Sequence, residues 1–268
     1  MNEIESIFCK LLHCDRSRLY LDQKNLFLDN GKFHRLQQIL RKRVSGEPLQ
    51  YLLHEANFMG LTLDVKPGVF IPRPETEILV EATLEMLRGH GSESGELNIL
   101  DIGTGSGAIA IALAKFLKRA RITALDISAQ AISQAKKNAV RHRVAQKISF
   151  LLRDFPQEQH RTTDLVPFDA IVSNPPYISA QDHAHLPFDV QQEPREALVA
   201  LQDGFYFYHL IERRSRVLLR SGGFIFLEIG DGQAGGIKDI FCDRALWKSV
   251  RFVKDYHEVD RVAVIQRA

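Results

Sequence analysis

The chain has 268 residues, 45% of them apolar and 25% charged, and its 35 basic and 33 acidic side chains leave a net charge of +2. This is the composition of an ordinary globular chain, long enough for one large domain and a small one. The balanced charge gives no push toward nucleic acid, and no apolar run approaches the about 18 residues of a membrane span.

The first 46 residues read as helical. Ile4, Ile7, Phe8, Leu11 and Leu12 recur at helical spacing, as do Phe33, Leu36, Ile39, Leu40 and Val44. The acidic start, Met1 to Glu5, has no leader pattern. Cys9, Cys14 and Cys242 lack Cys-x-x-Cys spacing and read as reduced thiols, so a cytoplasmic protein is expected. Gly46-Glu47-Pro48 breaks the helical pattern. From Phe58 to Ile71 apolar residues alternate with polar ones between Gly60, Pro67 and Gly68, which predicts a short hairpin. Pro72 to Glu77 opens a helix running to about Leu87, with Pro74 suited to its first turn and Glu75 and Glu77 to its dipole. A flexible loop is expected from Gly89 to Glu96.

From Leu97 onward strands and helices alternate. Strands are predicted at 97–102, 121–126, 147–152, 168–173, 223–229, 247–254 and 261–266, and helices at 106–118, 129–142, 204–219 and 233–243. Such alternation predicts an open, mostly parallel sheet covered by helices on both faces. The last two strands are joined by a short turn, which makes them an antiparallel pair. Trp247 reads as core. His183 and His185 lie two apart with no third ligand apparent and read as part of a solvated loop.

Four segments carry chemistry, each at a strand end. Gly103-Thr104-Gly105-Ser106-Gly107 follows the first sheet strand; glycines at alternate positions let the backbone turn sharply and let a ligand lie against it. The spacing is not the Gly-x-Gly-x-x-Gly dinucleotide fingerprint, which argues against a nicotinamide enzyme. Asp126 ends the next strand, 23 residues after Gly103, where an acid bonds ribose hydroxyls, while Ser128 is free to cap the following helix. Asp154 and Phe155 follow the third strand and suit the amine and the face of an adenine ring, or else a loop with one buried aromatic. Asn174-Pro175-Pro176-Tyr177 follows the fourth. Two prolines forbid helix and ladder, and leave the Asn174 side-chain oxygen and the Pro175 carbonyl in a stiff turn beside Tyr177, able to accept from a planar NH2 group.

In this order the segments closely resemble the layout of class I S-adenosylmethionine-dependent methyltransferases, and Asn-Pro-Pro-Tyr resembles the turn of those members that methylate planar nitrogens. Gly46-Glu47-Pro48-Leu49-Gln50-Tyr51, Phe58, Pro67 to Glu77, Glu193-Pro194-Arg195, Phe226-Leu227-Glu228-Ile229-Gly230 and Asp260-Arg261-Val262 further resemble the release factor glutamine N5-methyltransferases, over residues 46–268 and more loosely 3–45. Three departures stand out: a shorter helical front, His54 where the family often has glycine, and His257-Glu258 in place of a glycine-containing turn.

The resemblance implies an α/β fold: a seven-stranded, Rossmann-like class I methyltransferase sheet with a small helical N-terminal domain. Residues 1–46 would dock the substrate, 47–74 link through the hairpin, and 75–268 form the methyltransferase domain. It implies S-adenosyl-L-methionine as cofactor, held by Gly103, Thr104, Gly105, Ser106, Gly107, Asp126, Asp154, Phe155 and Asn174. Catalysis would fall to Asn174, Pro175 and Tyr177, with Pro176, Arg73 and Glu75 also toward the substrate, and no metal. The implied reaction is methylation of the glutamine in the Gly-Gly-Gln motif of class 1 peptide chain release factors, by a protein for which nothing demands more than a monomer, without membrane or direct nucleic-acid binding. Two alternatives use the same residues: a nucleic-acid exocyclic-amine methyltransferase, and a non-catalytic cofactor-binding module.

Overall fold

A computed structural model of the chain describes residues 2–22, 25–90, 95–155 and 167–268. The helical front comprises α1 (Glu3–Leu12), α2 (Arg16–Leu21), α3 (Asn30–Val44) and α4 (Leu49–Leu53). Asn2 and Glu5 form a reciprocal capping box at α1, and Asp15 and Asp29 cap α2 and α3. Ile7, Leu11, Ile39, Leu49, Leu52 and Leu53 form its core. Helix α4 lies beyond the predicted break: Pro48 is its N-cap, and five residues are too few to show a helical period. The apolar pattern overstated burial, since Ile4, Phe33, Leu40 and Val44 are exposed, Val44 at 88%. Four short helices cannot cover every apolar side chain they carry.

The hairpin is β1 (Glu55–Phe58) and β2 (Leu61–Asp64), antiparallel, starting three residues before the predicted Phe58. Met59 and Gly60 both have positive φ at the turn, as a two-residue hairpin requires. The Met59 N–H donates to Glu77 Oε1 at 2.7 Å, tying the turn to α5 (Pro74–His90). The loop expected over Gly89 to Glu96 falls, at 91–94, outside the described residues. His54 and Glu258, the two non-glycine departures, both hold left-handed backbone, at φ 58° and 62°, which accounts for glycine at such positions.

The main domain alternates β3 (Leu97–Ile102), α6 (Ala108–Phe116), β4 (Ala120–Asp126), α7 (Ala129–Arg141), β5 (Ile148–Leu152) and β6 (Phe168–Ser173). Short helices α8 (Ala180–His183) and α9 (Arg195–Leu198) follow, then α10 (Tyr206–Leu218), β7 (Leu219–Glu228), α11 (Ala234–Ile240), β8 (Trp247–Lys254) and β9 (Asp260–Arg267). The seven strands run β5-β4-β3-β6-β7-β9-β8. Strands β3 to β7 pair in parallel, and β9 pairs antiparallel with both β7 and β8, as the short last turn requires. Strand β7 begins four residues before its predicted start, because Leu219 pairs with Phe168 across a bulge. Every residue of β6 is buried, the mark of a central parallel strand covered on both faces. Trp247 is 1% exposed and its Nε1–H donates to Glu212 Oε1.

The chain steps outward from β3 through β4 to β5, then returns to place β6 on the other side of β3. That reversal opens a crevice between the carboxyl ends of β3 and β6, where open sheets take ligands.

Candidate active site

The crevice is lined by Gly103, Gly105, Asp126, Asp154, Phe155, Asn174, Pro175 and Pro176, all singled out from sequence. Gly103 and Gly105 take φ of 75° and 55°, and a Cβ on Gly103 would meet no atom within 4 Å, so the backbone there lies open to a ligand. The Gly105 N–H donates to Asp126 Oδ2 at 2.8 Å, and the Ser128 N–H to Asp126 Oδ1 at 2.8 Å. Burial pushes the Asp126 carboxyl up despite these bonds. Ser128 caps α7.

The other loop residues lie behind this surface. The Thr104 hydroxyl donates to Asp101 Oδ2 at 2.7 Å, and the Ser106 carbonyl accepts from Asn138 Nδ2 at 2.9 Å. Gly107 serves packing: a Cβ there would stand 2.9 Å from Ile111 Cδ1 and 3.0 Å from Ala135 Cβ, between α6 and α7. Asp101 is fully buried, its Oδ1 has no hydrogen-bond partner among the described side chains and backbone, and burial pushes its carboxyl up to about 7.

The roof comes from the linker and from the segment after β6. Gly68, Val69 and Phe70 line the crevice on one side, and Pro194, Glu196, Ala197 and Phe207 on another. Tyr51 holds the linker by donating its hydroxyl to the Val69 carbonyl at 2.7 Å, and Gln130 Nε2 donates to the Pro67 carbonyl. Arg73 and Glu75 are not part of the lining. Arg73 pairs with buried Glu193 and lies over the Phe70 ring, 5.3 Å from its centroid, while Glu75 is exposed at the start of α5. One face of Phe155 is covered by the Arg214 guanidinium at 4.8 Å.

At the Asn-Pro-Pro-Tyr turn, Asn174 Nδ2 donates to Thr76 Oγ1 at 3.0 Å. Among the described residues nothing donates to Asn174 Oδ1 or to the Pro175 carbonyl, and both residues line the crevice, so two acceptors at this turn are left open. Tyr177 lies behind them. Its hydroxyl donates to Glu228 Oε1 at 3.3 Å, its carbonyl accepts from Gln233 Nε2 at 3.2 Å, and burial, with the nearby Glu228 carboxylate, pushes the phenol up. The end of β6 is pinned by the Ser173 hydroxyl, which donates to the Ile102 carbonyl at 2.8 Å.

The sequence reading gave no role to Thr76, Glu228, Asp101, Phe70 or Glu196. A signal for two of them was present: an acid inside an apolar strand, as in Leu100-Asp101-Ile102 and Leu227-Glu228-Ile229, is almost never left buried without purpose.

The fold is similar to that of solved methyltransferases. The hMettl16 catalytic domain, solved with the MAT2A 3′UTR hairpin 1, matches with a TM-score of 0.61 at 19% identity, over 81% of this chain and 78% of that one. A methyltransferase from Pyrococcus furiosus matches at 0.54 and 18%, over 87% and 98%. At such identity these establish the fold. Residues 61–200 match the family model of the methyltransferase small domain. With a glycine loop and strand-end acid in the crevice, the chain is a class I methyltransferase. Residues 1–53 match the PrmC N-terminal domain. The release factor glutamine methyltransferase of Chlorobaculum tepidum is 38% identical over 96% of this chain and 87% of its own. That of Thermodesulfovibrio yellowstonii is 33% identical over 100% and 93%. The chain belongs to the release factor glutamine methyltransferase family.

Proposed function

We propose that this enzyme transfers a methyl group from S-adenosyl-L-methionine to the side-chain nitrogen of the glutamine in the Gly-Gly-Gln motif of class 1 peptide chain release factors. The observation that carries the reading is the pair of open acceptors, Asn174 Oδ1 and the Pro175 carbonyl, at the crevice in a chain of this family. A primary amide has two N–H donors, and two acceptors at one turn match them.

The crevice residues suit the cofactor. Gly103 and Gly105 leave room for a backbone contact, Asp126 suits ribose hydroxyls, and Asp154 with Phe155 suits the adenine. When bound, S-adenosylmethionine supplies a methyl carbon activated by its sulfonium.

The chain's own residues then position the acceptor. An amide nitrogen is a poor nucleophile because its lone pair is delocalised into the carbonyl. Asn174 Oδ1 and the Pro175 carbonyl each accept one N–H, which holds the nitrogen facing the methyl and stabilises the positive charge that grows on it. Pro176, in the crevice lining, borders the glutamine side chain, while Tyr177, expected to pack against it, braces the turn from behind through Glu228 and Gln233. Arg73 acts at one remove, through Glu193, on the roof of the site. The proton leaves after transfer, so no strong base is needed beforehand.

The docking part expected over residues 1–46 extends through α4 to Leu53, whose leucines pack in the same core, leaving 54–73 as linker and 74–268 as the methyltransferase domain. Exposed Phe27, Phe33, Leu40 and Val44 support a docking role for the front. No helix of the described residues is long and apolar enough to cross a membrane, and a cytoplasmic monomer fits the translation-linked substrate. The test is transfer of labelled methyl to a purified class 1 release factor, beside a variant with the tripeptide glutamine changed to alanine. Label on the first alone is expected. Label on both, or on RNA or DNA offered without protein, would overturn the reading in favour of another nitrogen, and cofactor binding without transfer to any partner would leave a binding module.

A further inference from the structure

Asn174 works only in one of its two amide orientations. With Oδ1 toward the acceptor it receives an N–H; flipped, it would present its own NH2 to the substrate NH2. The turn does not decide between the two, because the oxygen and nitrogen ends of an amide have nearly the same shape.

The partners behind Asn174 do decide. Thr76 is 3% exposed, and its single hydroxyl proton goes to Glu228 Oε2 at 2.6 Å. Its Oγ1 is thereby left as acceptor toward Asn174, and Nδ2 donates to it at 3.0 Å. Glu228, 1% exposed at the end of β7, is held in turn by the Tyr177 hydroxyl on Oε1, and its own carbonyl accepts from the Tyr208 hydroxyl at 3.0 Å. A carboxylate only accepts, so the direction of each bond in the row is set from Glu228 outward.

We propose that Thr76 and Glu228 are positioning residues: Glu228 orients the Thr76 hydroxyl, and Thr76 holds Asn174 Nδ2 so that Oδ1 faces the acceptor amide. This rests on the role given to Asn174 above. A proton on Glu228 Oε2 reverses the row. The acid then donates to Thr76 Oγ1, the Thr76 proton needs a new acceptor, and Asn174 Oδ1 turns inward to supply it. The groups facing Glu228 are Tyr177 from the turn, Tyr208 from α10, Arg261 from β9 and Glu75 from α5. Burial outweighs the bonds from Thr76 and Tyr177 and the pull of Arg261, and holds the carboxyl up at about 7. The correctly oriented form is therefore lost as pH falls through about 7.

The experiment compares Thr76→Val, Thr76→Ser, Glu228→Gln and Asn174→Ala. Wild type is expected to show a kcat that falls below pH 7. Thr76→Val should lower kcat about tenfold or more with cofactor affinity unchanged by calorimetry, and Thr76→Ser, which keeps the hydroxyl, should restore it. Glu228→Gln should flatten the acid limb of the profile. A readout independent of turnover is the Asn174 side-chain NH2 pair in the 1H–15N spectrum, assigned by its loss in Asn174→Ala. Its bonded proton should lose its shift and exchange protection in Thr76→Val and keep both in Thr76→Ser. Unchanged NH2 signals and kcat in Thr76→Val, with Asn174→Ala inactive, would overturn this proposal alone. Full transfer by Asn174→Ala would instead overturn the role of Asn174 on which it rests.

Discussion

The Arg73 guanidinium closes on the buried Glu193 carboxylate and joins the linker before α5 to the segment that follows the Asn-Pro-Pro-Tyr turn. Glu193 Oε2 also accepts from the Ile71 N–H at 2.9 Å, and nearby Arg43 bonds both Glu3 and Asp189. The helical front, the linker and the roof of the crevice are thus tied at one junction. Removing the cation leaves an uncompensated carboxylate in the interior. Arg73→Ala is expected to lower stability by about 2–3 kcal/mol, and adding Glu193→Gln to recover part of it, in urea denaturation. A double variant no more stable than the single one would dismiss the pairing as the cause.

Asn174→Ala removes one of two acceptors for the substrate amide and leaves the glycine loop and Asp126 intact. Transfer should fall about 100-fold or more while cofactor affinity holds within a few-fold, by methylation assay and calorimetry. Equal loss of both would assign Asn174 to cofactor binding alone.

Gly103 and Gly107 should separate by what they break. Gly107→Ala forces a Cβ against Ile111 and Ala135 at a φ of 86°, and a loss of about 2–4 kcal/mol is expected in thermal or urea unfolding. Gly103→Ala has free space, so it bears only the backbone strain of about 1 kcal/mol, and its Cβ projects where the ligand would lie. Its larger effect should be on cofactor affinity.

His54 is exposed and left-handed, with its backbone at the end of α4. His54→Gly relieves that conformation, offset in part by the added entropy of the unfolded chain, for a net gain of about 0.5–1 kcal/mol. A lower melting temperature in the glycine variant would count against the strain.

Glu228 has a pH signature in stability as well as in turnover. Its carboxyl is raised from 4.5 to about 7 by burial, so the folded state holds the proton that the unfolded state releases. Stability from this group is full below pH 4.5 and declines as pH rises to about 7. Glu228→Gln, which cannot ionise, should match wild type near pH 4.5 and exceed it by as much as about 3 kcal/mol at pH 8. Denaturation midpoints that stay parallel across this range would show that the group is not raised.

Much of the molecule could be read without coordinates, and the reason is local. Parallel strands buried on both faces appear as unbroken apolar runs such as Phe168 to Ser173, and helices between them carry their own period. Gly103, Gly105, Asp126, Asp154 and Asn174 stand at strand ends, so a parallel sheet already gathers them on one edge. Where local signal was short or ambiguous the reading lost accuracy: α4 has five residues, and the apolar stripe of α3 looks the same whether it meets a core or solvent.

The sequence by itself determined the class of fold, the succession of strands and helices along the chain and the placing of the glycine loop, the strand-end acid and the Asn-Pro-Pro-Tyr turn at strand ends, because each is a property of a few consecutive residues. Only the tertiary structure decided what stands behind that turn. Thr76 is 98 residues before Asn174, and Glu228 is 152 residues after Thr76. Hydrogen-bond partners so far apart leave no period in the chain; they meet because the sheet brings the end of β7 beside the end of β6, and α5 begins where those ends are exposed to it.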